Sequence, residues 1–166
     1  MPTKEDSRAK DRAYAQNYRE TRKAMGFKHV TTYIPTGREK EFNVIVERMK
    51  ADRAMEIVET SVVSSTEYQA LSTRYFLPVP TIKELNEART VFEHHPSILS
   101  ICKECSKHIE QHNLLVNGLR LIENVTDEQY TLAMGKSVAH NYMANALWLE
   151  VMWLAEEHFK EEAPVG

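Results

Sequence analysis

The sequence predicts a mainly α-helical chain: an N-terminal basic helix, one β-strand leading into a second helix, and a C-terminal bundle of three helices. Three observations predict it. Only five glycines are scattered through 166 residues, as suits long helices. Serine or threonine stands three residues ahead of glutamate or glutamine at Thr36/Glu39, Ser64/Glu67, Thr81/Glu84 and Thr126/Gln129, the spacing of a capping box that opens a helix. One run, FKHVTTYI from Phe27 to Ile34, is rich in β-branched and aromatic residues and is closed by Pro35, which marks the single strand.

The elements follow in order. Ser7 to Met25 contains neither proline nor glycine, sets Tyr14 and Tyr18 four apart with Met25 on the same side, and predicts a basic amphipathic helix ending at Gly26. In the strand, alternation puts Val30, Thr32 and Ile34 on one face and His29, Thr31 and Tyr33 on the other. Phe42, Ile45, Val46 and Met49 recur at helical spacing and predict a helix over about 37–54 with this stripe in a core. Met55 to Ser65 fits a frayed helix or a short strand, and a short helix follows through Phe76. Pro78 and Pro80 in LPVPT stop any helix, so residues 78–81 read as a linker between a head, 1–77, and a body, 82–166. In the body, helices are expected from Thr81 to about His94, from Pro96 to about Asn124, and from Thr126 to about Lys160, packed antiparallel through short turns. The last of these carries two apolar lines. Met134, Val138, Asn141, Asn145, Trp148, Met152, Ala155 and Phe159 form one, and His140, Ala144, Leu147, Val151, Leu154 and His158 the other. So wide a face must meet more than one neighbour, within the bundle or across a dimer in which Trp148 and Met152 take part.

Charge divides the chain in the same way. Met1 to Arg53 hold thirteen basic and eight acidic residues, a net +5, and the remainder eight and sixteen, a net −8, so the overall −3 is a near-cancellation. A basic head on an acidic body points to a polyanion at one end and a protein partner at the other. Several classes are excluded. No two glycines lie close enough for a phosphate-cradling loop. The longest apolar stretch, Tyr142 to Ala155, is interrupted by Glu150 and too short to cross a bilayer. MPTKEDSRAK has no apolar signal core, and with two cysteines the chain is expected in a reducing cytoplasm.

CKECSKHIEQH offers Cys102, Cys105, His108 and His112 as metal-type ligands. On one continuous helix the outer two lie about 15 Å apart, too far to share an ion. Ile98, Cys102, Cys105, Ile109, His112, Val116 and Leu119 also advance 4-3-4-3-4-3, the seam of a packed helix, so the cysteines read as core. A two-ligand contribution from His108 and His112, completed by His94, His140 or His158, is the metal alternative. There is no G-x-S-x-G, no H-E-x-x-H and no Glu-x-x-His pair, and no residue can be given a catalytic role. No enzyme activity and no cofactor are expected.

RAYAQNYRETRKAMGFKHVTTYIPTGREKEFNVIVERM, about residues 12–50, resembles the short ribbon-helix-helix-like modules of bacterial, plasmid and phage regulators and antitoxins. The resemblance implies a homodimer in which Lys28 to Ile34 of two subunits pair as a ribbon in the DNA major groove. Val30 and Ile34 would then face the helices, with Lys28, His29, Thr31 and Tyr33 toward the bases, and Arg19, Arg22 and Lys23 on phosphates. The expected function is that of a dimeric, sequence-dependent DNA-binding transcriptional regulator. The alternative is a small interaction or inhibitor protein of a phage or plasmid acting through its acidic body.

Overall fold

A computed structural model describes residues 3–60, 65–72 and 76–162. Six helices make up the fold: α1 Lys4–Ala24, α2 Glu39–Glu59, α3 Ser65–Ser72, α4 Ile82–Val91, α5 Pro96–Leu121 and α6 Asp127–Glu162. Ser64, expected to cap the third helix, lies outside the described residues.

α6 is the axis. Its 36 residues extend about 54 Å at 1.5 Å per residue, and α5, α2 and α3 all pack against it. Residues 141–147 are buried on every side, which is what two apolar lines on one helix require. α5 presents Ile98, Cys102, Cys105 and Ile109, all buried, and the Cys105 thiol donates to the Ala144 carbonyl of α6 at 3.4 Å. α3 comes close enough to α6 that a Cβ on Gly135 would stand 2.8 Å from the Tyr68 ring. One hydrophobic core contains Met25 and Ile57 from the head together with Leu85, Ile98 and Val151 from the body.

The Pro-containing segment is fastened rather than slack. Asn141, buried in α6, accepts a hydrogen bond at Oδ1 from the Leu77 N–H and donates through Nδ2 to the Leu77 carbonyl at 3.0 Å. Asn145 donates to the Pro78 carbonyl at 2.7 Å. Two asparagines in an apolar line are explained by this: prolines leave backbone carbonyls without helical partners, and the amides supply them.

Most helix starts follow the sequence. Thr81 with Glu84 forms a complete capping box, and Thr126 and Gln129 exchange the same pair of bonds. Thr3 with Asp6 forms another, starting α1 earlier than the apolar spacing suggested. α2 starts at Glu39 without a side-chain cap, and the Glu39 carboxylate accepts from the Gly37 N–H instead.

The β-strand is corrected. Lys28 to Ile34 runs without regular structure, and no strand or sheet exists among the described residues, so the ribbon-helix-helix module is not present. The physical reason is that β-branched residues stabilise a strand only where a pleated neighbour gives them a surface. Here Val30 is 71% exposed and Tyr33 fully so, and Ile34 is half-buried. Among the described residues helices are the only regular structure, and an irregular connector joins α1 to α2.

Which face of α2 is buried also differs from the apolar spacing. Phe42, Ile45 and Met49 point to solvent and Val46 is half-buried, while Val44, Ala51, Ala54 and Ile57 meet the core. Alanines let α2 approach α6 closely, and the larger residues fall on the opposite side. On α6, Trp148 packs at the core's edge and Met152 is exposed.

Candidate functional site

Two regions of the molecule carry chemistry that packing does not use. The first is α1. None of its residues is buried, and only its C-terminal end rests on α3. At 100° per residue, Lys4, Arg8, Arg12, Arg19, Arg22 and Lys23 fall within about 100° of one another around the axis. Five of the six are exposed; Arg22 is half-buried, its guanidinium over the rings of Tyr18 at 5.0 Å and Phe27 at 5.4 Å. The stripe runs about 28 Å, with Glu5 and Asp11 at its borders and Lys10 on the far side.

The base of this helix is built from named contacts. Phe27 N–H donates to the Arg22 carbonyl and Gly26 N–H to the Lys23 carbonyl, each at 2.9 Å, the pair of bonds that closes a helix through a left-handed residue. Gly26 is that residue, with φ +82°. The Met25 side chain is fully buried, and its carbonyl accepts from Arg53 Nε at 2.8 Å. Arg53 also pairs with Glu56 and Glu67, each at 2.9 Å, so a single guanidinium joins the end of α1 to α2 and α3.

Beyond Gly26 the connector carries Lys28, His29, Thr31 and Tyr33, all exposed. Of the residues expected to contact DNA, the structure therefore sets Arg19, Lys23 and these four at the surface and stacks Arg22 against aromatic rings. Lys4, Arg8 and Arg12 were missed, although their i, i+4, i+8 spacing was visible once α1 was extended back to its cap.

The second region lies where the end of α2 passes α5 and α6. A cleft of about 410 Å³ is lined by Asp52, Glu56, Glu59, Glu104, His108 and Met143, among others. Asp52 pairs with Arg48 at 3.4 Å. At its inner edge His108 Nδ1 stands 2.9 Å from His140 Nδ1, with ring centroids 5.2 Å apart, so one ring must donate and the other accept. Burial pushes the His108 pKa down, with Glu104 opposing. Burial and then the neighbouring His108, His112 and Lys136 push His140 down to about 4. His112, one turn on from His108, donates from Nδ1 to the Ser137 carbonyl at 2.8 Å and meets the Phe76 ring edge-on.

The four ligands of the CKECSKHIEQH run are thereby separated. Cys102 and Cys105 are buried free thiols, and burial raises the pKa of both, that of Cys105 to about 12. His108 faces His140 rather than either cysteine. Among the described residues, no three His, Cys, Asp or Glu side chains surround a common point. His95 caps α5 by accepting from the Ile98 N–H at 3.3 Å, and His94 is exposed beside Glu93. No helix is long and apolar enough to cross a membrane among the described residues. No family model matches the chain, and neither the curated proteins nor the solved structures contain a match to it.

Proposed function

We propose that this chain binds DNA through α1, laying its cationic stripe along the phosphates while the connector from Lys28 to Tyr33 follows beside it. The observation that carries the reading is the one-sided alignment of Lys4, Arg8, Arg12, Arg19 and Lys23, all exposed, on a helix with no fully buried residue. A solvated helix has no need to gather its cations on one face, and an α-helix of this width enters a major groove about 12 Å wide. Binding of this kind is dominated by counterion release, so it has a numerical signature. Five phosphate contacts give a slope of log K against log salt of about −4.5, and replacing Arg8, Arg12 and Arg19 by glutamine reduces its magnitude by about 2.7. The test is a fluorescence-anisotropy titration of random duplex DNA at several salt concentrations. Binding that ignores salt, or that is equal in the triple variant, overturns the proposal.

A second reading is favoured by a different observation. At the far end of the α5–α6 hairpin, Leu114, Leu121, Ile122, Tyr130 and Leu132 are exposed. Such residues on an acidic body suit a protein partner, and a chain that leaves DNA untouched would be assigned to that class.

A further inference from the structure

We propose that His108 and His140 hold a divalent transition-metal ion between their Nδ1 atoms, at the inner edge of the acidic cleft, with Glu104 as the carboxylate that completes the set. Two imidazole nitrogens bound to one tetrahedral ion at 2.0–2.1 Å stand about 3.3 Å apart. Here they stand 2.9 Å apart, so a separation of a few tenths of an ångström and small ring rotations admit the ion, once the ring that donates the hydrogen bond has moved its Nδ1 proton through water to its own Nε2 and freed the Nδ1 lone pair. The backbone on either side is already fixed. Cys105 holds Ala144 about one turn away on one side, and His112 holds Ser137 about one turn away on the other. The ion therefore meets a prepared pair of donors and does not have to order them.

The charge around the pair suits a cation. Glu104 precedes His108 by one turn of α5, and Glu59 of α2 lines the same cleft. Burial keeps both imidazoles in the neutral form that donates a lone pair. Since no three ligand-type groups already converge among the described residues, Glu104 must swing in and water must fill what remains. That makes the site open and exchangeable, and the imidazole–carboxylate donor set selects ions such as Zn²⁺ over Mg²⁺. The ion would tie α5 to α6 at a point where α2 also ends.

The test uses the full chain and two readouts. Imidazole ¹⁵N–¹H correlation spectra are recorded during titration with zinc chloride, and calorimetry measures affinity and stoichiometry. The expected result is one ion per chain, with the Nδ1 resonances of His108 and His140 moving together and no response to magnesium. His108→Asn should weaken binding by at least ~100-fold, beyond what losing an outer partner of a ligand costs, while His94→Asn leaves it unchanged. Because the spectra report on the native chain, the proposal stays testable even where His108→Asn loses its fold. Shifts confined to His29, His94 or His95, an equal response to magnesium, or unchanged affinity in folded His108→Asn overturns it.

Discussion

Gly26 shows how much one residue without a side chain can hold in place. Its φ of +82° costs an L-residue about 1–2 kcal/mol, and a Cβ there would stand 3.1 Å from Arg53 Nε. Arg53 has nowhere to yield without leaving Met25, Glu56 or Glu67. Gly26→Ala should therefore destabilise the chain by about 2 kcal/mol or more, read as a lower urea midpoint at unchanged slope. A wild-type midpoint would mean that the end of α1 is not fastened in this way. The cysteines make a prediction of the opposite kind, one of inertness. Nucleophilic thiol chemistry needs the thiolate, and with a pKa raised to about 12 the Cys105 thiol is ionised in only about one molecule in ten thousand at pH 8. Iodoacetamide should leave Cys105 unmodified in the native chain and label it in urea, which mass spectrometry of the digested protein will show. Both cysteines were legible as core from the seam they share with Ile98 and Ile109. His140 was one of three histidines offered as a companion to His108, and the choice among them was not legible, because His140 lies 32 residues away and reaches His108 only when α5 folds back on α6.

Among the elements, α4 and α6 were the most legible, since a cap is local chemistry and both begin where Thr81 and Thr126 said they would, whereas the Thr36/Glu39 spacing marks the start of α2 without forming its box. The element misjudged was the one defined by propensity alone. Lys28 to Ile34 has strand composition, but among the described residues it meets no neighbouring strand, and it runs without regular structure. α2 shows a related limit. Phe42, Ile45 and Met49 lie on one face and Ala51 and Ala54, with Val44 and Ile57, on the other, and close helix packing chose the face with the alanines. The segment read as a linker is instead pinned to α6 by two asparagines, and this can be measured. Asn141→Ala leaves the Leu77 N–H and carbonyl without their partners in a half-buried setting. The expected loss is about 2–4 kcal/mol, the lower part of the range for two groups at about 1–3 kcal/mol each because Leu77 is only half-buried, and thermal unfolding followed by circular dichroism checks it. A loss below ~1 kcal/mol would show that water replaces the amide and that the segment is only loosely held.

At the scale of the whole molecule, charge and packing separate cleanly along the chain. Met25 and residues of α2 to α6 build one core organised around α6, while α1 touches it only through Ala24 at its C-terminal end and keeps its cations aligned outward. This partition was half visible beforehand. The +5 and −8 could be counted, but the sequence could not show that α2 and α3 belong to the core of the acidic part and that only α1 and the connector are left outward. It also leads to a test in which stability and binding must part company. Residues 3–13 are all exposed, so a deletion that leaves a chain beginning at Tyr14 removes no buried side chain among the described residues, and the unfolding free energy should change by no more than about 0.5 kcal/mol. The same deletion removes Lys4, Arg8 and Arg12 from the stripe and leaves Arg19 and Lys23. If α1 is the DNA-binding element, the salt dependence should then fall from a slope of about −4.5 to about −1.8, two contacts at about 0.9 each. Measured on one preparation, an unchanged melting curve with a flattened salt dependence is the outcome a projecting cationic helix requires. Deletion that unfolds the chain would place α1 in the core, and deletion that leaves the slope intact would move any polyanion contact to another surface.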